Sequence, residues 1–208
     1  VAVLDNGTRY TLPEILDNGY TLAVNNLNHK SIKIIVQASE PLRDKPFYVI
    51  GTMRQRKYYQ GKFEFGLNRT FTFEIPKTQM PSGVLTLTLF DSEKKPWCER
   101  PIFVNNQEEL VINTQISANK LVKRGKITLD INITDTEGRP VSTNLSMSVT
   151  DKGQVEKDQS SQTILTQFLL ESEIKGHITK PGLLLIDQKR NTLQRLDLVM
   201  LTHGWRKY

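Results

Sequence analysis

Cysteine is nearly missing from this chain: 208 residues contain one, Cys98. A single thiol excludes an internal disulfide framework, a multi-cysteine zinc site and a cysteine-held iron–sulfur cluster. Glycine (12) and proline (9) are too sparse for a collagen-like or low-complexity chain. Long apolar runs are missing too. The densest, residues 196–201, is short and interrupted by Asp197, far from the ~18–20 residues that cross a bilayer. No G-x-x-x-x-G-K loop, no helix-opening G-x-G-x-x-G and no G-x-S-x-G elbow occurs, so phosphate-loop and serine-elbow chemistry have no sequence support.

Histidine is scarce as well. His29, His177 and His203 stand far apart, and none belongs to an H-x-x-x-H or H-E-x-x-H pattern. A catalytic thiol at Cys98 would need a histidine and an orienting group beside it, and a small buried residue is the simpler reading. Glu171 and Glu173, two apart, point in different directions on a helix. Asp130 falls on a strand face and Asp135 in a turn, so paired-carboxylate chemistry finds no support. The expectations are therefore no catalytic residue, no metal and no cofactor.

What is present is charge in modest excess and strand-like alternation. Lys+Arg 28 against Asp+Glu 22 gives a net charge of +6. That permits attraction to an anionic partner without requiring one. With 38% hydrophobic residues the chain can bury a core. Ile127, Leu129, Ile131 and Ile133 alternate with Thr128, Asp130, Asn132 and Thr134, the period of a half-buried strand. Leu145, Met147 and Val149 alternate in the same way, as do Leu85, Leu87 and Leu89, Phe71, Phe73 and Ile75, and Ile32, Ile34 and Val36; Phe63 and Phe65 flank Glu64. Turn signals separate these runs at residues 17–19, 80–83, 91–96 and 136–140. Short strands between turns predict antiparallel β-sandwiches, each sheet hiding its apolar face on another.

A boundary is expected near residues 104–107, giving one sandwich over 1–106 and a second one, short of strands, over 107–208. From about residue 160 the period changes. Ile164, Leu165, Phe168 and Leu169 have helical spacing, and Gly176 stands where a helix would end. Leu193, Leu196, Val199 and Met200 mark another apolar helix face. Two helices, about 160–176 and 191–203, are expected as an insertion or C-terminal extension of the second sandwich.

The densest basic stretch contains Arg54, Arg56, Lys57, Tyr58, Tyr59 and Lys62. Cations mixed with aromatics can grip phosphates or stack on bases. No nucleic-acid-binding fold pattern surrounds them, and a hairpin with one wet side explains them without a ligand. These six residues are the candidate binding patch, with an acidic protein or a glycan as the better-fitting partner and nucleic acid not expected. Trp97, with Tyr58 and Tyr59, motivates a carbohydrate- or peptide-binding alternative. N-x-S/T triplets begin at Asn6, Asn68, Asn132 and Asn144, a number that chance explains in so Asn/Ser/Thr-rich a chain. Residues 201–208, with Trp205 and Tyr208 beside Arg206 and Lys207, read as an amphipathic tail that packs on this chain and leads onward. The opening at Val1 on sequence that already reads as folded points to a piece of something longer.

Residues 83–91 and 99–105 resemble the last strands of a macroglobulin-like domain, and residues 129–135, 137–141 and 145–151 resemble the next. Residues 168–176, Pro181-Gly182 and 196–206 are similar to a stretch of large cell-envelope proteins of Bacteroidetes. In those proteins macroglobulin-like domains precede a carboxypeptidase-regulatory-like domain and a TonB-receptor plug-like domain. The resemblance implies tandem immunoglobulin-like sandwiches in a periplasmic or outer-membrane-associated protein. It also implies a non-catalytic structural or protein-interaction role, with other domains of the parent and an envelope protein as partners. Protease-trapping members carry a thioester in a Cys-Gly-Glu-Gln context. Here Cys98 is followed by Glu99-Arg100, so no functional residue carries over.

Overall fold

The computed structural model describes residues 1–12, 14–116, 124–151, 153–155 and 158–204. Its strands, in chain order, are β1 (Ala2–Val3), β2 (Arg9–Tyr10), β3 (Tyr20–Asn25), β4 (Ser31–Ala38), β5 (Phe47–Met53), β6 (Arg56–Phe63), β7 (Thr70–Pro76), β8 (Gly83–Phe90), β9 (Pro96–Val104), β10 (Val111–Ile116) and β11 (Leu129–Thr134). The helices are α1 (Ile164–Thr166), which continues into one π-helical turn at Gln167–Glu171, and α2 (Arg190–His203).

The protein is mainly β, and every pairing among the described residues is antiparallel. A three-stranded sheet, β3-β4-β7, faces a four-stranded sheet, β6-β5-β8-β9. The alternation puts Ile32, Ile34 and Val36 of β4 inside, against Phe47 and Val49 of β5 and Leu85, Leu87 and Leu89 of β8; all are fully buried. This is a β-sandwich core. At one end Tyr20 meets Trp97 edge-on, 5.5 Å between ring centres, and packs near Phe47 and Phe65.

The four-stranded sheet is covered on its other face as well. Ile102 and Val104 of β9 point into the sandwich, while Phe103, with Val84 of β8, points the opposite way. There they join Leu170, Ile178, Leu184, Leu196 and Met200 in a second core. The C-terminal helical layer therefore packs on the first sandwich. Arg100 of β9, 8% exposed, fixes the contact: its Nη2 donates to Asp197 Oδ1 of α2 at 2.7 Å, and its Nη1 to Pro101 O at 2.7 Å. Gly204 closes the helix against Pro101, where an added Cβ would lie 2.0 Å from Pro101 Cγ.

β9 ends at Val104, where the boundary is expected, but the connection is stitched down. Asn106 Nδ2 donates to Lys77 O and Met80 O, and Ser82 N donates to Glu108 Oε2. Beyond it lies an isolated two-stranded ribbon, β10–β11. The expected strand at 145–149 has no ladder among the described residues, and Leu145, Met147 and Val149 are exposed. Residues Pro181–Leu184 form a short 3₁₀ turn. The helix expected over 160–176 is reduced to α1 and the π turn, begun by a reciprocal cap between Thr163 and Thr166. Only Leu170 of that turn is buried in the second core; Ile164 and Phe168 stay exposed, so helix-compatible spacing there lacks a surface to pack on. The helix expected at 191–203 is α2. Trp205, Arg206, Lys207 and Tyr208 of the expected tail lie outside the described residues.

Candidate functional site

The basic patch is the β5–β6 hairpin. Its turn consists of Arg54 and Gln55, both left-handed (φ 48° and 64°), a geometry that two-residue hairpins ordinarily fill with Asn-Gly. Arg54 does not project freely: its Nη2 donates to Ser82 O at 2.9 Å. It is a clasp between the hairpin tip and the start of β8.

Arg56, Lys57 and Lys62 are exposed along β6. Lys57 Nζ donates to Gln60 Oε1 at 2.6 Å, and Lys62 Nζ lies 3.8 Å from Glu64 Oε1. Tyr58 and Tyr59 are half-buried against the sandwich core. The ladder steps from Gly51↔Tyr59 to Thr52↔Lys57, so Tyr58 is the extra residue of a bulge. Past the bulge, Tyr59 to Phe63 pair regularly with Gly51 to Phe47.

Tyr59 and Phe63 belong to a row of rings spanning the two sheets. Tyr59 stacks on Phe73 at 6.2 Å and 17°, Phe63 lies 4.3 Å from Phe73 and 5.1 Å from Phe71, and Phe71 and Phe73 come from β7. Burial raises the Tyr59 hydroxyl pKa. Gly61 sits between the two β6 rings, and a Cβ there would meet the Phe63 ring at 2.4 Å.

Trp97 stands apart. Its Nε1 donates to Asp91 Oδ2 at 2.8 Å, and Lys95 Nζ sits 5.1 Å from the ring centre. Burial pushes the Asp91 carboxyl up, but donation from Trp97 and from the Lys95 and Glu93 amides outweighs it and holds the pKa below its ordinary value. Cys98, mostly buried, has its thiol pushed up to about 12 and is not a nucleophile near neutrality.

The structure thus brings Arg56, Lys57, Tyr58, Tyr59 and Lys62 together on one edge strand, and assigns Arg54 to a clasp. The histidines stay dispersed: His29 Nδ1 pairs with Gln188 Oε1 at 3.0 Å, and His203 Nδ1 with Val199 O at 3.1 Å. Among the described residues no group of three His, Cys, Asp or Glu side chains could hold a metal, and no helix is long and apolar enough to cross a membrane.

Sequence reasoning missed two features. One is a groove of about 430 Å³ between the β3–β4 end of the sandwich and the start of α2, lined by Asn25, Asn28, His29, Lys33, Glu74 and Arg190. The other is buried Lys77, whose Nζ donates to Asn26 O at 3.1 Å and Asn28 O at 2.7 Å, with its pKa lowered by burial to about 8. The groove draws on residues from Asn25 to Arg190, and Lys77 on partners 49 and 51 positions away, so no local pattern announces either. The chain matches no protein-family model and no curated protein.

Proposed function

We propose that this chain is a non-catalytic, extracytoplasmic structural and protein-interaction module, a part of a larger envelope receptor-like protein built from tandem macroglobulin-like, immunoglobulin-like sandwiches. One observation carries the interaction reading: the bare aliphatic side of β10–β11. Pairing places Ile112 opposite Ile133, Thr114 opposite Ile131 and Ile116 opposite Leu129, all on one face. Ile112, Ile116, Leu129 and Ile131 on this face, with Ile127 beside it, are between 37% and 57% exposed. A lone two-stranded ribbon is at best marginal in water, and contiguous apolar surface of this kind marks a contact.

The chain itself widens this face in this reading. A bridge joins Thr134 to Pro140, and Val141 N donates to Ile133 O at 3.0 Å. Continuing that register sets Thr143 opposite Ile131, Leu145 opposite Leu129 and Met147 opposite Ile127. Residues 141–149 then extend the same apolar face, and the second sandwich is completed by a facing layer from a neighbouring domain or envelope partner. The envelope location rests on the sequence resemblance.

Fractionation and pull-down with the parent protein test the proposal. The expected result is a periplasmic or outer-membrane location and a partner lost on Ile131→Lys. A cytosolic protein, or a partner indifferent to that change, overturns it.

A carbohydrate- or peptide-binding module for nutrient uptake is the second reading. The polar groove at Asn25, Asn28, His29 and Arg190 favours it. The rings that motivated it do not, since Tyr58 and Tyr59 pack on the core and Trp97 is tied to Asp91. A glycan array with calorimetry decides: loss of binding on Arg190→Ala supports it, and no binding removes it.

A further inference from the structure

We infer that the outer edge of β6 takes up an extended acidic segment of a partner protein as an added β-strand. This rests on the interaction-module reading and names the partner's chemistry at a surface separate from the β10–β11 face.

Three observations converge on the edge. First, β6 is the terminal strand of its sheet and β7 the terminal strand of the facing one, so the sandwich is open along this side. An edge strand leaves alternate backbone N–H and C=O groups turned outward, a template for another strand. Second, the open side is not closed off by bulky aliphatics. Tyr59, Phe63, Phe71 and Phe73 line it, each only half-buried, with the Phe63 ring lying over Gly61, where any Cβ would meet it at 2.4 Å. A strand laid beside Tyr59–Phe63 would set alternate side chains onto this ring row and finish its burial. Third, the residues between them, Gln60 and Lys62, face solvent, with Arg56 and Lys57 nearer the turn. Within this row Lys62 Nζ lies 3.8 Å from Glu64 Oε1.

The same charges decide which strand fits. Cations and a bulge on an edge blunt pairing with an identical edge, because like charges would face each other. An incoming strand with Glu or Asp at its outward positions turns that repulsion into cross-strand attraction. The bulge at Tyr58 lies toward the turn and leaves the five residues 59–63 regular. The partner is therefore a segment alternating apolar and acidic residues. A single-stranded nucleic acid fits less well: it needs free ring faces, whereas Tyr59 and Phe63 spend theirs on Phe73.

The test uses the whole chain and three eight-residue peptides followed by calorimetry: alternating Val-Glu, alternating Val-Lys, and the Val-Glu peptide N-methylated at alternate amides. Expected are micromolar binding of Val-Glu, none of Val-Lys, and at least a tenfold loss both on N-methylation and with Lys57→Glu/Lys62→Glu, whose fold is checked by circular dichroism. Amide exchange at residues 59–63 should slow on binding. No binding of Val-Glu, binding indifferent to N-methylation, or tighter binding of oligo-dT overturns the inference. Its failure is separable from that of the module reading, which is read at Ile131→Lys on the other surface.

Discussion

Lys77 is the residue whose surroundings most alter its chemistry. Burial lowers its pKa from 10.5 to about 8, and two backbone oxygens of the Asn26–Asn28 loop hold its ammonium. A folded pKa below the unfolded one means that the folded chain sheds this proton first. The penalty is full below pH 8 and is relieved as pH climbs from 8 toward 10.5. Stability should therefore rise by on the order of 1–3 kcal/mol between pH 8 and 10, read by urea unfolding, and Lys77→Met should flatten that slope. Above pH 10 the Tyr20 and Tyr59 hydroxyls, both raised by burial, act in the opposite direction: they keep their protons in the fold while the unfolded chain releases them. Arg54 and Gln55 raise a different matter, backbone strain. Gln55→Gly should relieve about 1 kcal/mol and lift Tm by a few degrees without altering the hairpin, whereas the same change at an ordinary β position would destabilise. At this scale the sequence was half legible. An inert, mostly buried Cys98 and exposed Lys57 and Lys62 follow from residue type and alternation. Lys77 does not, because its partners stand 49 and 51 positions away.

Among elements, periodicity located β4, β7 and β8 because one side of each really is buried, but β3 and β5 were not singled out. β4 and β8 carry their apolar residues two apart and place them in one core. β9 is different: Pro101 to Val104 are buried on both faces, so its sequence reads as a continuous apolar run, and only the helical layer explains Phe103. α2 was legible from Leu193, Leu196 and Met200. The segment at 164–171 was not, since the same spacing stands over water and gives little more than a turn. Alternation at Leu145, Met147 and Val149 promises a strand, yet a strand needs a neighbour as well as a pattern. In the proposed continuation of the register begun at Thr134 and Pro140, that neighbour is β11. A Leu129→Cys/Leu145→Cys variant should form a disulfide under mild oxidation, seen by mass spectrometry, while Leu129→Cys/Ser146→Cys should not. Cys98, mostly buried and with a thiol pKa near 12, would not compete.

For the whole molecule, the expected division at 106 cuts through a packed layer. Asn106 and Glu108 are tied to the 77–82 loop, and α2 returns to cover Val84 and Phe103. A chain ending at Asn106 keeps the inter-sheet core but bares that outer surface. It should lose roughly 3–5 kcal/mol relative to the full chain, measured by denaturant unfolding, and should bind a hydrophobic dye. Equal stability of the two would show that the helical layer contributes nothing to the sandwich. The order of elements in sequence gave no hint of this return, because it depends on which face of β8 and β9 lacks a covering sheet. The basic edge at β6 lies on the side away from β9, so a strand bound there would leave the helical layer undisturbed.

The Arg100–Asp197 clasp also gives the molecule a mechanical character. Because α2 is fastened to the middle of β9, tension applied beyond residue 204 enters the sandwich at an interior point of an edge strand, and not at the strand's end. Load of that kind is shared sideways across several ladder hydrogen bonds and resists sudden failure better than peeling them one by one. Stretching single molecules should accordingly show a distinct high-force rupture whose force falls with Asp197→Ala. An unchanged force in that variant would mean that the pull reaches the strands by another route.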